Sequence, residues 1–248
     1  MSRPFESARS LLIWLVAFPV FLVCCLAVLA ATFLVRGPRL DRLIKRCCRT
    51  VIFLCGIRVR VHGRENIVPG RQYLLMMNHV NFFDPLLFYA VYPGLARGLE
   101  EESHFRWPLY GAILRRIGVV PVDRKHPGKS RESLARAAAT IRSRPDFSFL
   151  VLPEGTRSPD GRLGPFKRGG FILAVEAGLD ILPLVQVGAE RINRKGSRLI
   201  RPGRVDLFIA PAVSSAGFTR EDHDGLVARV RAAFLRYIPE RPALVRGD

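Results

Sequence analysis

Two short stretches of this 248-residue chain gather residue types suited to acid–base chemistry and anion binding. In NHVNFFD, residues 78–84, His79 precedes Asp84 by five positions. Imidazole titrates near neutral pH and is the usual general base, and a carboxylate on its second ring nitrogen fixes tautomer and orientation. A hydrogen-bonded structural histidine would show the same spacing, so the pair alone leaves both readings open. In LPEGTRS, residues 152–158, an apolar run ends in Glu154, Gly155, Thr156 and Arg157. Gly155 permits close backbone approach, and Arg157 offers a fork of donors to phosphate. A strand–turn with a surface ion pair is the competing reading. FKRGG, residues 166–170, places Lys167 and Arg168 before two glycines at an expected helix start, where cations and backbone donors suit an anion. Arg124, at the end of GVVPVDR, is a third basic candidate, with a solvated strand end as its alternative. The chain has no GxSxG elbow, so no enzyme-borne serine nucleophile is signalled.

These groups need elements to hold them. IRVRVHG (57–63) alternates like a strand, and YLLMMNH (73–79) is an apolar run that ends at the histidine. DPLLFYAVY (84–92) is expected to open a helix at Asp84 with Pro85 in its first turn, so the connecting turn can fold Asp84 back onto the ring. Helical spacing recurs in residues 107–118, 130–143, 169–178 and 219–238, with Thr219 as candidate cap of the last. Residues 119–123, 181–188 and 204–210 read as strands, and 147–157 as a buried strand running into a polar turn. The alternation predicts an α/β domain over residues 57–248, with a mixed or parallel, largely buried sheet flanked by helices.

Residues 1–56 read as a membrane-anchoring segment. Residues 11–35 carry no charge over 25 positions and would make a helix of roughly 37 Å, against a hydrocarbon core of about 30 Å. The run exceeds a signal-peptide core, and Pro19 would kink it or make it re-entrant. Six Arg and Lys within residues 36–49, against Asp41 alone, place the rest of the chain on the cytoplasmic side. Residues 39–55 repeat Leu40, Leu43, Ile44, Cys47, Cys48, Val51 and Ile52 at three- and four-residue steps. That face is expected to lie on an anionic bilayer surface, with packing into the domain as the alternative.

The formal charge of +18 suits nucleic acid, an anionic membrane, or phosphorylated and acidic substrates. Nucleic acid fits worst, because no exposed aromatics interleave with the basic residues and a membrane tether would restrict access. Five cysteines inside apolar or amphipathic stretches make no disulfide framework, and no cluster has metal-ligand spacing.

Taken in order, NHVNFFD, GVVPVDR, LPEGTRS with FKRGG, and ILPLVQVG resemble the four sequence blocks of the glycerolipid acyltransferases, whose best-known members are the 1-acylglycerol-3-phosphate acyltransferases. The resemblance covers about residues 57–212 and includes the N-terminal apolar segment. The first and third blocks match closely. The second departs at Val120, Pro121 and Val122, where the family has an aromatic-aliphatic pair, and the fourth rests on Pro183.

The resemblance implies a glycerol-3-phosphate acyltransferase-like fold and acyl transfer from acyl-CoA or acyl-carrier protein to the sn-2 hydroxyl of 1-acylglycerol-3-phosphate, giving phosphatidic acid. His79 would be the general base and Asp84 its orienting carboxylate. Arg124 and Arg157 would hold the phosphate, Glu154, Gly155 and Thr156 would shape the acceptor site, and Lys167 would be an additional anion contact. Backbone N–H groups near the first motif are candidate oxyanion donors, which the sequence does not single out. No cofactor or metal is implied. The partners would be membrane phospholipids, the lysophospholipid acceptor and acyl-carrier protein, at a bacterial inner membrane. Competing readings are an acyltransferase for another lyso-lipid such as lyso-ornithine lipid, a remodelling or hydrolytic enzyme, and a non-enzymatic basic membrane-tethered binding protein. An acceptor panel, release of free fatty acid, and the intact His79 and Asp84 pair discriminate these in turn.

Overall fold

The apolar runs assemble into one sheet. The computed structural model, which describes residues 3–123 and 127–239, orders seven strands as β1-β7-β6-β2-β5-β3-β4. They are β1 (Ile57–His62), β2 (Leu74–Met77), β3 (Ala96–Glu101), β4 (Val120–Val122), β5 (Ser148–Val151), β6 (Ile181–Val187) and β7 (Gly203–Ile209). Neighbours run parallel except β6 and β7, so the sheet is mixed. β2 lies at its centre with all four residues buried, and helices cover both faces, which is why it reads as a continuous apolar run. Leu75 and Met77 face Phe88 of α3 (Asp84–Val91). Leu74 and Met76 face α5 (Pro127–Arg142), α6 (Gly169–Ala177) and α8 (Asp224–Leu235) through Ile141, Phe171 and Phe234. Gly170 lets α6 close on the sheet, since a Cβ there would meet Met76 Cε and Val151 Cγ1 at 3.2 Å.

Two sequence expectations change. Strand β3, ARGLEE, has no apolar pattern and was not foreseen. Helix α8 opens at Asp224, not near Thr219, whose hydroxyl instead accepts the Asp222 N–H (3.0 Å) in the preceding turn.

The N-terminal helices α1 (Arg3–Leu34) and α2 (Gly37–Leu54) share the core. Helix α1 is long and apolar enough to cross a membrane. Ser10, Ile13, Ala17, Val28 and Thr32 form its buried stripe, while Leu11, Leu15, Phe18, Val23, Leu26 and Phe33 face outward. Both ends are fastened. Glu6 pairs with Arg201 (3.0 Å), Ser10 Oγ accepts from Ile200 N (2.9 Å) and Trp14 Nε1 donates to the Arg198 carbonyl (2.8 Å). At the far end, Arg116 donates to Thr32 Oγ1 (2.7 Å) and lies over the Phe33 ring. Helix α4 (Tyr110–Ile117) closes this corner through Ile113.

The apolar face of α2 turns into the protein, not onto a bilayer. Leu40, Ile44, Val51 and Ile52 are buried, together with Asp41 and Lys45. The last two explain the choice. Asp41 pairs with Lys45 (2.8 Å) and with Arg97 of β3 (2.9 Å), an arrangement that lipid could not supply. Lys45 also donates to the carbonyls of Pro93 and Gly94, and Arg97 to those of Ala96 and Ile117.

Candidate active site

Strand β2 delivers His79 just past its end, and Pro85 in the first turn of α3 starts the helix that carries Asp84. The turn between them brings His79 Nδ1 to 2.7 Å from Asp84 Oδ2. The carboxylate is fully buried and also accepts Val80 N (2.7 Å) and Asn81 N (3.1 Å), so three donors hold it in place. A carboxylate acceptor at Nδ1 puts the ring proton there and leaves Nε2 as the basic nitrogen. His79 remains 22% exposed, and among the described residues its Nε2 has no hydrogen-bond partner.

The Glu154 turn is laced to this one. Glu154 is buried, and its two oxygens accept His79 N (2.9 Å) and Gly164 N (2.8 Å). Ser158 N donates to the His79 carbonyl (2.6 Å). Glu154 is therefore a clasp between the motifs. Gly155 has φ +67°, and a Cβ there would stand 3.3 Å from Lys167 Cγ, so glycine serves both the backbone and the lysine stem. Thr156 is exposed and its hydroxyl accepts from Lys195 Nζ (3.0 Å). Arg157 is half-buried and pairs with no described carboxylate. Arg124 lies outside the described residues.

A cavity of about 420 Å³ opens beside the Glu154 turn, at the ends of β3, β4 and β5 and the start of α6. Leu99, Val122, Leu134, Val151 and Leu173 line it, with Gly155 and Lys167 at one side, and His79 is not part of the lining.

Three of the candidate oxyanion donors are already engaged. The N–H groups of His79, Val80 and Asn81 are all spent on the Glu154 and Asp84 carboxylates, because a buried carboxylate at a turn collects the nearest donors.

Sequence reading assigned no role to three residues that build the frame. Asn78 and Gln186 of β6 exchange hydrogen bonds, with Asn78 Nδ2 on the Gln186 carbonyl (2.9 Å), Gln186 N on Asn78 Oδ1 and Gln186 Nε2 on the Asn78 carbonyl (both 2.8 Å). Asn81 reaches the carbonyl of Ala189 at the start of α7 (Ala189–Ile192) and caps Phe83 N (both 2.8 Å). The available signal was polar side chains inside apolar runs. Trp14 of α1 stacks on Phe82, at 5.9 Å and 18°, so the apolar helix touches the catalytic-type turn itself.

Comparison with known proteins agrees with this arrangement. A family model described as Acyltransferase matches residues 58–187. The 1-acyl-sn-glycerol-3-phosphate acyltransferase alpha of Homo sapiens is 30% identical over 215 residues, 86% of this chain and 76% of the human protein. The 1-acyl-sn-glycerol-3-phosphate acyltransferase of Pseudomonas aeruginosa is 30% identical over 178 residues, 70% of this chain and 68% of that protein. The crystal structure of the 1-acyl-sn-glycerophosphate (LPA) acyltransferase PlsC from Thermotoga maritima shares the fold, with TM-score 0.78 over 98% of this chain and 100% of that one at 24% identity. The matched segment contains both the His79 turn and the Glu154 turn, and the chain belongs to the acyltransferase family.

Proposed function

We propose that this acyltransferase moves a fatty acyl group from acyl-CoA or acyl-carrier protein to the sn-2 hydroxyl of 1-acylglycerol-3-phosphate, giving phosphatidic acid. The observation that carries the reading is the 2.7 Å hydrogen bond between His79 and Asp84, which leaves Nε2 unpartnered on a partly exposed ring. Nε2 takes the proton of the lysolipid hydroxyl as its oxygen attacks the thioester carbonyl. The tetrahedral intermediate then collapses, the C–S bond breaks, and the departing sulfur receives the proton from the imidazolium. Asp84 keeps the tautomer and stabilises the charged ring. The acceptor oxygen is itself the nucleophile, so no acyl-enzyme is formed.

Arg157 and Lys167 bind the acceptor phosphate, with Arg124 as a further cation. Gly155 and Thr156 shape the acceptor site, and Glu154 acts on it through the two turns it joins. The apolar walls of the 420 Å³ cavity suit an alkyl chain. The outward face of α1 seats in the cytoplasmic leaflet of the membrane, where both lysolipid and product reside.

The test is transfer of a labelled acyl group by the full-length protein in vesicles, offering 1-acylglycerol-3-phosphate beside lyso-ornithine lipid, with acyl-CoA and acyl-carrier protein as alternative donors. Transfer to 1-acylglycerol-3-phosphate that disappears in His79→Ala supports the reading. Equal turnover by wild type and His79→Ala would remove the general base, and turnover with only the other lyso-lipid would remove the acceptor.

A further inference from the structure

We infer that Lys195, presented by the loop of residues 193–199, is a further acceptor-binding residue that pairs with the phosphate monoester of the lysolipid. This rests on the acceptor reading above. The stretch 191–204 carries Arg191, Arg194, Lys195, Arg198, Arg201 and Arg204 with no acidic residue. Three of these six have carboxylate partners: Arg191 pairs with Glu190 (3.4 Å), Arg201 with Glu6 and Arg204 with Asp206. Lys195 differs. Its ammonium sits 3.0 Å from the hydroxyl of Thr156, the residue before Arg157, and it meets no described carboxylate. A neutral hydroxyl occupies one of three ammonium donors and neutralises none of the charge.

The loop that places this lysine is held by its own hydrogen bonds. Asn193 is fully buried, and its amide donates to the carbonyls of Ser197 and Leu199 (both 2.9 Å). Ser197 N closes on the Arg194 carbonyl (2.9 Å), and Gly196 turns the chain at φ +84°. These bonds fix the backbone on either side of Lys195 before any ligand arrives, which lowers the ordering cost of binding. The loop is also tied to α1, through Trp14 Nε1 on the Arg198 carbonyl and Ile200 N on Ser10 Oγ. It therefore lies between the helix that meets lipid and the turn that carries Arg157.

The chemistry fits a phosphate monoester. Such a group carries about −1.5 to −2 charge at neutral pH and three strong acceptor oxygens, so it has room for a further ammonium donor besides Arg157 and Lys167. Arg157 offers a bidentate fork and Lys195 a point charge, a complementary pair for one dianion.

The experiment uses the full-length protein in vesicles and compares Lys195→Ala, Lys195→Arg and Arg194→Ala. Arg194 is exposed on the same loop and contacts neither motif. Lys195→Ala should raise KM for 1-acylglycerol-3-phosphate about tenfold with kcat within about twofold, as expected for loss of one partly exposed charge-assisted contact. Lys195→Arg should recover most of the affinity, and Arg194→Ala should match wild type. An unchanged KM in Lys195→Ala overturns the proposal. So does an equal rise in Arg194→Ala, which would make the loop a general contact with anionic surface. Because both side chains are exposed, unchanged melting curves verify folding. A second arm measures equilibrium binding of 1-acylglycerol-3-phosphate in the His79→Ala background, with and without Lys195→Ala. Failure of wild type to acylate this lysolipid would sink the acceptor reading, and the binding arm then decides on Lys195 by itself. Equal binding with and without the lysine refutes its role, and weaker binding without it upholds it.

Discussion

The seam between α2 and β3 and the turn between β2 and α3 each bury one carboxylate, and they differ in what is left over. At the seam, Asp41 meets Arg97 and Lys45, and those cations spend further donors on the carbonyls of Ala96, Ile117, Pro93 and Gly94. At the turn, Asp84 takes two backbone N–H groups and one imidazole nitrogen, and the second nitrogen has no partner among the described residues. A buried charge that is matched on all sides holds elements together. A buried charge that matches only one side of its partner leaves the other side open. The two kinds of site can use the same residue types, so composition alone does not separate them.

Breaking each cluster should give opposite phenotypes. His79→Ala should lower kcat by about 10²–10⁴ while the melting temperature stays put, read by acyl-transfer assay and calorimetry. Comparable loss of stability in that variant would erase the distinction. Arg97→Ala should do the reverse. It leaves Asp41 short of a partner in the interior and should cost about 3–5 kcal/mol in urea unfolding, with KM of the folded fraction retained. Cys48 reports on the same region. Burial, then the neighbouring thiols of Cys47, Cys24 and Cys25, push its thiol up to about 12, so its alkylation at pH 7 should be about a thousandfold slower than that of an ordinary thiol. Arg97→Ala should speed that labelling, and His79→Ala should not.

Glu154→Gln sharpens the comparison from between the extremes, because Glu154 is matched on both oxygens yet touches the functional turn. One oxygen becomes an amide facing a backbone N–H. Stability should fall by about 1–3 kcal/mol, measured by denaturant titration, and kcat should fall with it. The smallest effect is expected at the rim. Arg204, and after it His62, hold the Asp206 carboxyl below its ordinary range. The folded carboxyl therefore stays ionised to lower pH than the unfolded one. Its contribution is present above about pH 4 and disappears as pH falls through the folded-state value. Asp206→Asn should cost well under about 1 kcal/mol at pH 7, because the pair is partly exposed and screened, and the gap to wild type should close in acid melts.

The turn at His79 was legible because its chemistry is local. Histidine and carboxylate lie five residues apart, and Pro85 announces the helix that folds one onto the other. The same holds for Gly155, where a glycine after a strand marks the left-handed backbone found there. What escaped reading depends on distant partners. Strand β3 hides behind Arg97, Glu100 and Glu101, and Arg97 is buried only because Asp41 lies 56 residues earlier. Gln186 carries no local signal of its role, which is set by Asn78, 108 residues away. The amphipathic pattern of α2 was real, but periodicity cannot say whether lipid or protein covers the apolar side. Asp41 and Lys45 on that side were the clue.

Helix α1 is fastened at Glu6 and again at Thr32, so it lies along the domain and cannot stand upright across a bilayer without releasing both ends. Its outward side chains make an apolar face that runs along the domain, and the stack of Trp14 on Phe82 joins that face to the His79 turn. A surface that engaged this face would meet the turn as part of the same rigid body.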